Sequence, residues 1–117
     1  MKRALFLLPL LAACADPADE GRALFAEHCA ACHGAAAKGG AGPDLTGLAA
    51  ANGGAFPAVR VMSQIDGFSR AGAHSDMPQF GELLGGRMVL WQGPDGVATP
   101  TPAALVALAD YLAGLQE

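Results

Sequence analysis

Three neighbouring residues, Cys29, Cys32 and His33, have the types and the spacing needed to hold a haem. The pattern Cys-x-x-Cys-His is the attachment signal for a c-type haem. Thiols three positions apart lie on one turn of a helix, so each can add to one of two neighbouring vinyl groups on the haem rim. The histidine that follows is then held under the iron as its proximal ligand. We therefore expect Cys29 and Cys32 to carry the haem covalently and His33 to bind its iron.

Other kinds of site also use two cysteines at this spacing. A thioredoxin-like redox pair needs a βαβ context, which the sequence does not show. A zinc site needs two further ligands, and the third cysteine, Cys14, stands in a segment of a different kind. A disulfide between Cys29 and Cys32 is chemically possible but leaves His33 without a role. The haem interpretation explains all three residues and is therefore favoured.

Large apolar side chains are scarce for a chain of 117 residues, of which 26 are alanine. From residue 14 onward, Leu, Ile, Val and Phe make up 20 of 104 residues, near the level at which a chain becomes too poor in them to fold alone. A buried haem would supply the missing apolar mass. The length predicts one domain, and we expect its folding to be linked to the binding of one haem.

Residues 1–13 differ in kind from the rest of the chain. Lys2 and Arg3 precede an uncharged run of ten residues, which is too short to span a bilayer and is typical of a secretory signal peptide. The run ends in Leu-Ala-Ala-Cys, which resembles a bacterial lipobox whose cysteine, here Cys14, receives a diacylglycerol. Acyl chains on Cys14 would anchor the protein to a membrane on the periplasmic side. Ordinary cleavage after Ala15 is the alternative and would release a soluble periplasmic protein.

The elements that must position the haem residues follow this leader. We predict a tether over residues 14–20 and a haem domain over residues 21–117. Apolar residues at helical spacing predict a first helix from residue 19 to residue 31. Residues 34–54, rich in Gly and Ala, predict a loop around one haem edge. A second helix is predicted over residues 57–69. Its apolar stripe consists of Val61, Ile65 and Phe68, with Met62 beside it.

The C-terminal part of the chain predicts a β-hairpin followed by a last helix. Residues 88–92 and 97–99 flank the turn sequence Gly-Pro-Asp-Gly, which is typical of a hairpin. Thr101 is expected to cap the last helix, with Pro102 in its first turn. The apolar stripe of this helix consists of Leu105, Leu108, Leu112 and Leu115.

A sixth ligand for the iron is sought among the remaining methionines and histidines. The candidates after residue 14 are Met62, Met77, Met88, His28 and His74. Met62 has the spacing of a helix core residue, and Met88 begins an apolar strand. His28 adjoins a tethered cysteine and cannot reach the iron face, so we expect it at the haem rim or the surface.

Met77 is a candidate sixth ligand that stands in irregular sequence directly before Pro78. The proline biases Met77 to an extended backbone and stiffens the loop. His74 is the main alternative. A neutral thioether favours ferrous iron and raises the reduction potential, whereas a second histidine would lower it.

Five motifs in this order resemble the class I cytochromes c. Gly21 and Phe25 stand eight and four residues before the first haem cysteine, as in that family. The other motifs are Cys-x-x-Cys-His, Gly-Pro-x-Leu-x-Gly over residues 42–47, Met-Pro at Met77, and Leu-x-x-Tyr-Leu over residues 108–112. The resemblance implies an all-α class I cytochrome c fold with haem-wrapping loops and Met77 as the distal ligand. The hairpin before the last helix departs from the simplest members.

The resemblance also implies specific contacts and a function. The carbonyl oxygen of Pro43 should accept a hydrogen bond from the ring of His33, which orients the ring and raises its basicity. Tyr111 and Leu112 should cross the first helix near Gly21. The implied function is one-electron transfer by a single covalently bound haem c, without enzymatic activity. The alternatives are a haem-bearing subunit of a larger redox complex and a gas-binding or peroxidatic protein with a labile sixth ligand.

The charge of the chain bears on its partners. Processing at Cys14 would leave 5 basic and 11 acidic residues, a net charge of −6 before the haem propionates. Nucleic acid is therefore not an expected partner. Redox proteins are expected instead, which would dock through a basic patch of their own or on a mainly apolar haem edge, although the acidity would also serve solubility. Two arginines, Arg60 and Arg70, could approach a propionate, and a solvated surface position is the default for both.

Overall fold

The computed structural model describes residues 14, 16–70 and 75–117. In these ranges the helices are α1 (Pro17–His28), α2 (Ala30–His33), α3 (Leu48–Ala51), α4 (Ala58–Asp66) and α5 (Ala103–Gly114), with a 3-10 turn over Phe68–Arg70. The strands β1 (Met88–Gln92) and β2 (Ala98–Pro102) form one antiparallel sheet. The predicted signal peptide over residues 1–13 and the alternative ligand His74 lie outside the described residues. No helix within these ranges is both long enough and apolar enough to cross a bilayer.

Helix α1 begins two residues earlier than its sequence pattern predicted. The Asp16 carboxylate accepts a hydrogen bond from the backbone N–H of Ala18 at 2.9 Å, and Pro17 occupies the first turn. A capping carboxylate and a proline with a preset φ angle both favour a helix start at this point. The second half of the segment predicted as a tether, residues 17–20, is therefore helical. The predicted single helix is also divided, because Cys29 separates α1 from the one-turn helix α2.

Helices α1 and α5 cross at Gly21. A methyl group on Gly21 would lie 2.2 Å from the carbonyl oxygen of Ala107 and 2.8 Å from Cβ of Tyr111, so only glycine permits this approach. One turn further along α1, the ring of Phe25 packs on that of Tyr111 at a centroid distance of 5.5 Å. The crossing expected at Gly21 and Phe25 is therefore present in the structure.

The hydrophobic core lies where α1, α4 and α5 meet. Its larger buried side chains are Phe25, Val61, Met62, Ile65, Leu84, Leu105, Leu108 and Leu112. The leucine stripe predicted for the last helix supplies three of them, and the prediction that Met62 is a core residue is confirmed. The described part of the chain is thus mainly helical, as expected, with one small sheet.

Helix α4 is shorter than the predicted helix over residues 57–69. It ends at Asp66 because Gly67 adopts a left-handed conformation with φ of 81°, which terminates helices and is easily reached only by glycine. The chain then turns away, and Phe68 is 84% exposed. The assignment of Phe68 to the apolar stripe was therefore wrong, whereas Val61 and Ile65 are buried as predicted.

The hairpin is present, but its second strand is longer than predicted. Met88 pairs with Pro102 and Val89 pairs with Thr101, so both predicted cap residues of the last helix belong to β2. The Ala103 N–H continues the interaction by donating to the Arg87 carbonyl oxygen at 2.8 Å. Helix α5 accordingly begins at Ala103 without a side-chain cap, and the predicted cap at Thr101 was wrong.

The loop over residues 34–54 contains the single-turn helix α3 and is tied to the C-terminal segment. The Gln116 side chain accepts a hydrogen bond from the Ala49 N–H at 2.9 Å and donates one to the Leu45 carbonyl oxygen at 2.8 Å. The Glu117 N–H donates to the Thr46 carbonyl oxygen at 2.9 Å. These contacts fix the loop against the end of α5.

Candidate functional site

The three residues of the attachment motif lie on one helical turn. The N–H groups of Cys32 and His33 both donate to the Cys29 carbonyl oxygen, at 3.2 and 3.0 Å. Cys32 is exposed and Cys29 is half-buried, and both are free thiols. Two thiols on one turn, both accessible from solvent to some degree, are suited to forming two thioether bonds to one planar group.

The thiol of Cys29 has a raised pKa. Partial burial disfavours its thiolate, and the nearby Cys32 thiol adds a smaller effect in the same direction. Burial raises the pKa of a thiol because the charged form loses hydration. Cys29 therefore stays a neutral thiol at neutral pH until it reacts.

His33 is oriented by a backbone carbonyl. The residue is 9% exposed, and its Nδ1 lies 2.9 Å from the Pro43 carbonyl oxygen. A carbonyl oxygen can only accept, so the proton sits on Nδ1 and the lone pair sits on Nε2. Within the described residues Nε2 makes no hydrogen bond. The contact that the resemblance implied is present, and it leaves Nε2 able to bind a metal.

The chain that carries Pro43 is packed closely on the histidine ring. A methyl group on Gly42 would lie 2.9 Å from Cε1 and 3.0 Å from Nδ1 of His33. The Gly42 N–H donates to the Cys32 carbonyl oxygen at 2.8 Å, which ties this loop to the attachment motif. The glycine therefore brings the Pro43 carbonyl within reach of the ring.

Asp44 and Thr46 stabilise the loop directly after Pro43. One carboxylate oxygen of Asp44 accepts from the N–H of Thr46 at 2.8 Å and from its hydroxyl at 2.7 Å. These two hydrogen bonds lower the pKa of Asp44 below its ordinary value, because they stabilise the charged carboxylate. Thr46 is buried, so the ionised carboxylate satisfies polar groups that are shielded from water.

Met77 lies at the margin of the same core that Cys29 touches. Its side chain is half-buried, and its Sδ is 3.7 Å from Nε2 of the Gln64 amide on α4. Its carbonyl oxygen accepts a hydrogen bond from the Arg70 guanidinium at 3.0 Å. The predicted distal methionine is therefore held in a loop that faces α4.

The structure also describes three candidate ligands that the sequence did not favour, Met62, Met88 and His28. Met62 is buried in the core, and Met88 is exposed on β1. The ring of His28 packs against Phe80 at a centroid distance of 6.2 Å. These placements agree with the reasons for not favouring them.

Two residues around Met77 were missed as contributors to the site. The sequence predicted no role for Gln64, and it predicted a solvated surface position for Arg70. Arg60 is exposed, in keeping with that expectation. The partners of Arg70 are backbone carbonyls, which no sequence pattern identifies.

These residues fit a haem c. The thiols of Cys29 and Cys32 would form thioethers with the vinyl groups, and the free Nε2 of His33 would bind the iron. An imidazole nitrogen such as the Nε2 of His33 suits iron in a haem, and so does the thioether sulfur of a methionine. Across the described ranges there is no group of three or more His, Cys, Asp and Glu side chains that could hold a bare metal ion.

Comparison with known proteins agrees with this chemistry. The family model described as Cytochrome c matches residues 18–116, which is most of the chain and includes the attachment motif, the loop at Pro43 and Met77. We found no significant match among curated proteins or among solved structures.

Proposed function

This chain belongs to the cytochrome c family, and from that premise we propose that it is a class I, single-haem electron carrier with His33 and Met77 as the axial ligands. Family membership supports a haem c electron-carrier role. The bound haem iron supplies reversible one-electron oxidation and reduction. The observation that carries the proposal is the hydrogen bond between His33 and Pro43, which directs the proton to Nδ1 and leaves Nε2 for iron.

Met77 would support electron transfer by supplying the haem iron with a sixth ligand. A thioether in the sixth position blocks the binding of oxygen or carbon monoxide and favours the ferrous state. The support for Met77 is its placement beside the core that Cys29 also touches, in a loop held on α4. With both axial positions occupied, no site remains for bond-breaking chemistry, so we propose a carrier rather than an enzyme.

The test is the visible spectrum of the haem-loaded protein, oxidised and reduced, with and without carbon monoxide. Met77→Ala and His74→Ala are measured beside the wild type. We expect the wild type to show the weak far-red band of methionine bound to ferric haem and to resist carbon monoxide. Met77→Ala should lose both properties, and His74→Ala should keep them. A wild type that binds carbon monoxide readily would instead indicate a gas-binding or peroxidatic protein.

We further propose that Cys14 is lipidated and anchors the protein to a membrane on the periplasmic side. The lipobox-like sequence supports this, and the exposed thiol of Cys14 stands shortly before α1. The mass of the N-terminal peptide and the distribution between membrane and soluble fractions test it. Cys14→Ser should shift the protein out of the membrane fraction while the haem spectrum stays unchanged, and a wild type found only in the soluble fraction would contradict the anchor.

A role as a subunit of a larger redox complex is a second candidate, favoured by the outer face of the hairpin. Met88 and Leu90 both point away from the core on β1, and Leu90 is 75% exposed. Partner contact would cover such apolar side chains. Particle size in mild detergent distinguishes the two functions, because a free carrier is monomeric. A free carrier also exchanges electrons with several soluble partners, which a second assay measures. The net charge favours partners with a basic docking patch in either case.

A further inference from the structure

Arg70 joins three backbone carbonyls from two separate segments. Its Nε donates to the Gln64 carbonyl oxygen at 3.0 Å. Its Nη1 donates to the Met77 carbonyl oxygen at 3.0 Å, and its Nη2 donates to the Pro78 carbonyl oxygen at 2.9 Å. The guanidinium thus bridges the last turns of α4 and the loop that presents Met77.

The Gln64 carbonyl is one of the groups that a helix leaves without an internal partner. It lies in the last turn of α4, where the N–H that would have reached it, that of Phe68, donates instead to the Asp66 side chain at 3.1 Å. Terminal helix carbonyls need an outside donor, and a cation near a helix C-terminus is favoured by the helix dipole. Arg70 meets both requirements.

Only an arginine side chain suits this arrangement. Its planar guanidinium offers several N–H donors in fixed directions, whereas lysine offers a single flexible ammonium group. The carbonyls of Met77 and Pro78 are adjacent, and two parallel donors of one guanidinium reach them together. Lysine in this position would hold the loop at one point.

The remaining contacts of the loop are made by neutral groups. The N–H groups of Phe80 and Gly81 donate to the carbonyl oxygens of Ile65 and Asp66 at 3.1 and 3.0 Å. The Gln79 amide donates to the Gly67 carbonyl oxygen at 3.0 Å. These contacts hold the loop after Pro78. At Met77 itself, the N–H donates to the Ser75 hydroxyl within the loop at 3.3 Å, the Gln64 amide approaches Sδ from α4 at 3.7 Å, and Arg70 binds the carbonyl oxygen.

We propose that Arg70 is the positioning residue of the distal loop, which keeps Met77 bound to the haem iron by holding the carbonyls of Met77 and Pro78 against the end of α4. This inference rests on the proposed ligation by Met77. Without the guanidinium, the loop detaches more often from α4, and the thioether leaves the iron more often with it.

The test compares the haem-loaded wild type with Arg70→Gln and Arg70→Lys. Carbon monoxide binds the ferrous iron only after the methionine sulfur has dissociated from it. The rate of carbon monoxide binding therefore reports how often Met77 detaches. We expect Arg70→Gln to raise this rate about tenfold or more over the wild type. The rate of Arg70→Lys should lie between those of the wild type and Arg70→Gln. Hydrogen exchange of the Phe80 and Gly81 amides should become faster in the same order. Arg70→Lys also serves if Arg70→Gln yields no folded protein.

One control variant and one further measurement separate positioning from general stability. Arg60→Gln removes an exposed arginine of α4 and should leave the binding rate unchanged. The free energy of unfolding is measured for each variant beside its binding rate, and a positioning role predicts a rate increase larger than the loss of global stability explains. Arg70→Gln could bind carbon monoxide no faster than Arg60→Gln while the wild type resists carbon monoxide. That result would overturn the role of Arg70 and leave the ligation by Met77 standing. If the wild type binds as fast as Met77→Ala, the ligation by Met77 is overturned, and the role of Arg70 with it.

Discussion

Gly21 lies so close to Ala107 that a methyl group on its Cα would fall 2.2 Å from the Ala107 carbonyl oxygen. The contact joins the helix before the attachment motif to the last helix of the chain. The neighbouring pair of Phe25 and Tyr111 depends on the same helix separation. The position of α1, and hence of the turn that begins at Cys29, is therefore set at this crossing.

Gly21→Ala is expected to lower the free energy of unfolding of the haem-loaded protein by about 1–3 kcal/mol or more, because an added methyl group must push the helices apart. Denaturant unfolding followed by circular dichroism measures the change. Gly114→Ala is the matched control, since a methyl group there meets nothing within 4 Å and should stabilise α5 by up to about 1 kcal/mol. Equal effects of the two substitutions would contradict the close approach at Gly21.

Gly42→Ala is expected to weaken the hydrogen bond between His33 and Pro43. The added methyl group would lie 2.9 Å from the ring, so the ring and the loop must separate. A histidine with a weaker partner is less basic. We therefore expect a lower iron–histidine stretching frequency in the five-coordinate ferrous Met77→Ala background and a higher reduction potential when Met77 is present.

Gly47→Ala is the control for that change. It lies in the same loop, has an ordinary φ of −103°, and has open space around its Cα. Resonance Raman spectra of the two variants should differ at the iron–histidine mode. A frequency that stays at the wild-type value in Gly42→Ala would show that the His33 ring is not constrained from this side.

Asp44→Asn tests the pH dependence of the loop. The pKa of Asp44 is lowered in the folded chain by the hydrogen bonds from Thr46, so ionised Asp44 stabilises the fold above its unfolded pKa of about 3.9. This contribution is lost as the pH falls through the lower, folded pKa. The stability difference between wild type and Asp44→Asn should therefore be present at pH 6 and shrink below about pH 4.

Thermal unfolding between pH 2 and pH 6 measures this difference for both proteins. Asp110→Asn, which removes an exposed carboxylate from α5, controls for the change in net charge. A gap between wild type and Asp44→Asn that stays constant across the acid range would mean that the charge of Asp44 does not support the loop.

Gln64→Leu tests the contact between the Gln64 amide and Met77 Sδ at 3.7 Å. An N–H directed at the sulfur withdraws electron density from it, which makes the thioether a weaker donor and favours ferrous iron. Removing the amide should therefore lower the reduction potential. Gln92→Leu makes the same change on the exposed hairpin and should leave the potential unchanged in redox titrations. A potential that rises or stays the same in Gln64→Leu would contradict the contact.

The sequence was sufficient to predict the features that depend on local spacing. Cys29, Cys32 and His33 carry a pattern that one helical turn imposes, and Gly21 and Phe25 stand at fixed distances from it. The full length of the second strand could not be predicted. The sequence Thr101-Pro102 is typical of a helix start, and Thr101 belongs to the strand only because it pairs with Val89. Tertiary contacts routinely override such local preferences.

The roles of Arg70 and Gln64 could not be predicted for a different reason. Their partners are backbone carbonyls and a sulfur atom on another segment, and a backbone carbonyl leaves no trace in residue type. The end of α4 could have been predicted, since glycine, the residue type at position 67, most often terminates a helix. The predicted helix was too long because Phe68 continues the apolar spacing of Val61 and Ile65.

The hydrogen bonds of Gln116 and Glu117 with residues 45–49 have a consequence for the order of folding. Leu45 and Gln116, which one of these hydrogen bonds joins, are 71 residues apart in the chain. The segment that presents the Pro43 carbonyl to His33 therefore lacks these partners until the residues after α5 have packed against it. Contacts of such sequence separation form late and slowly, so the proximal loop reaches its final form near the end of folding.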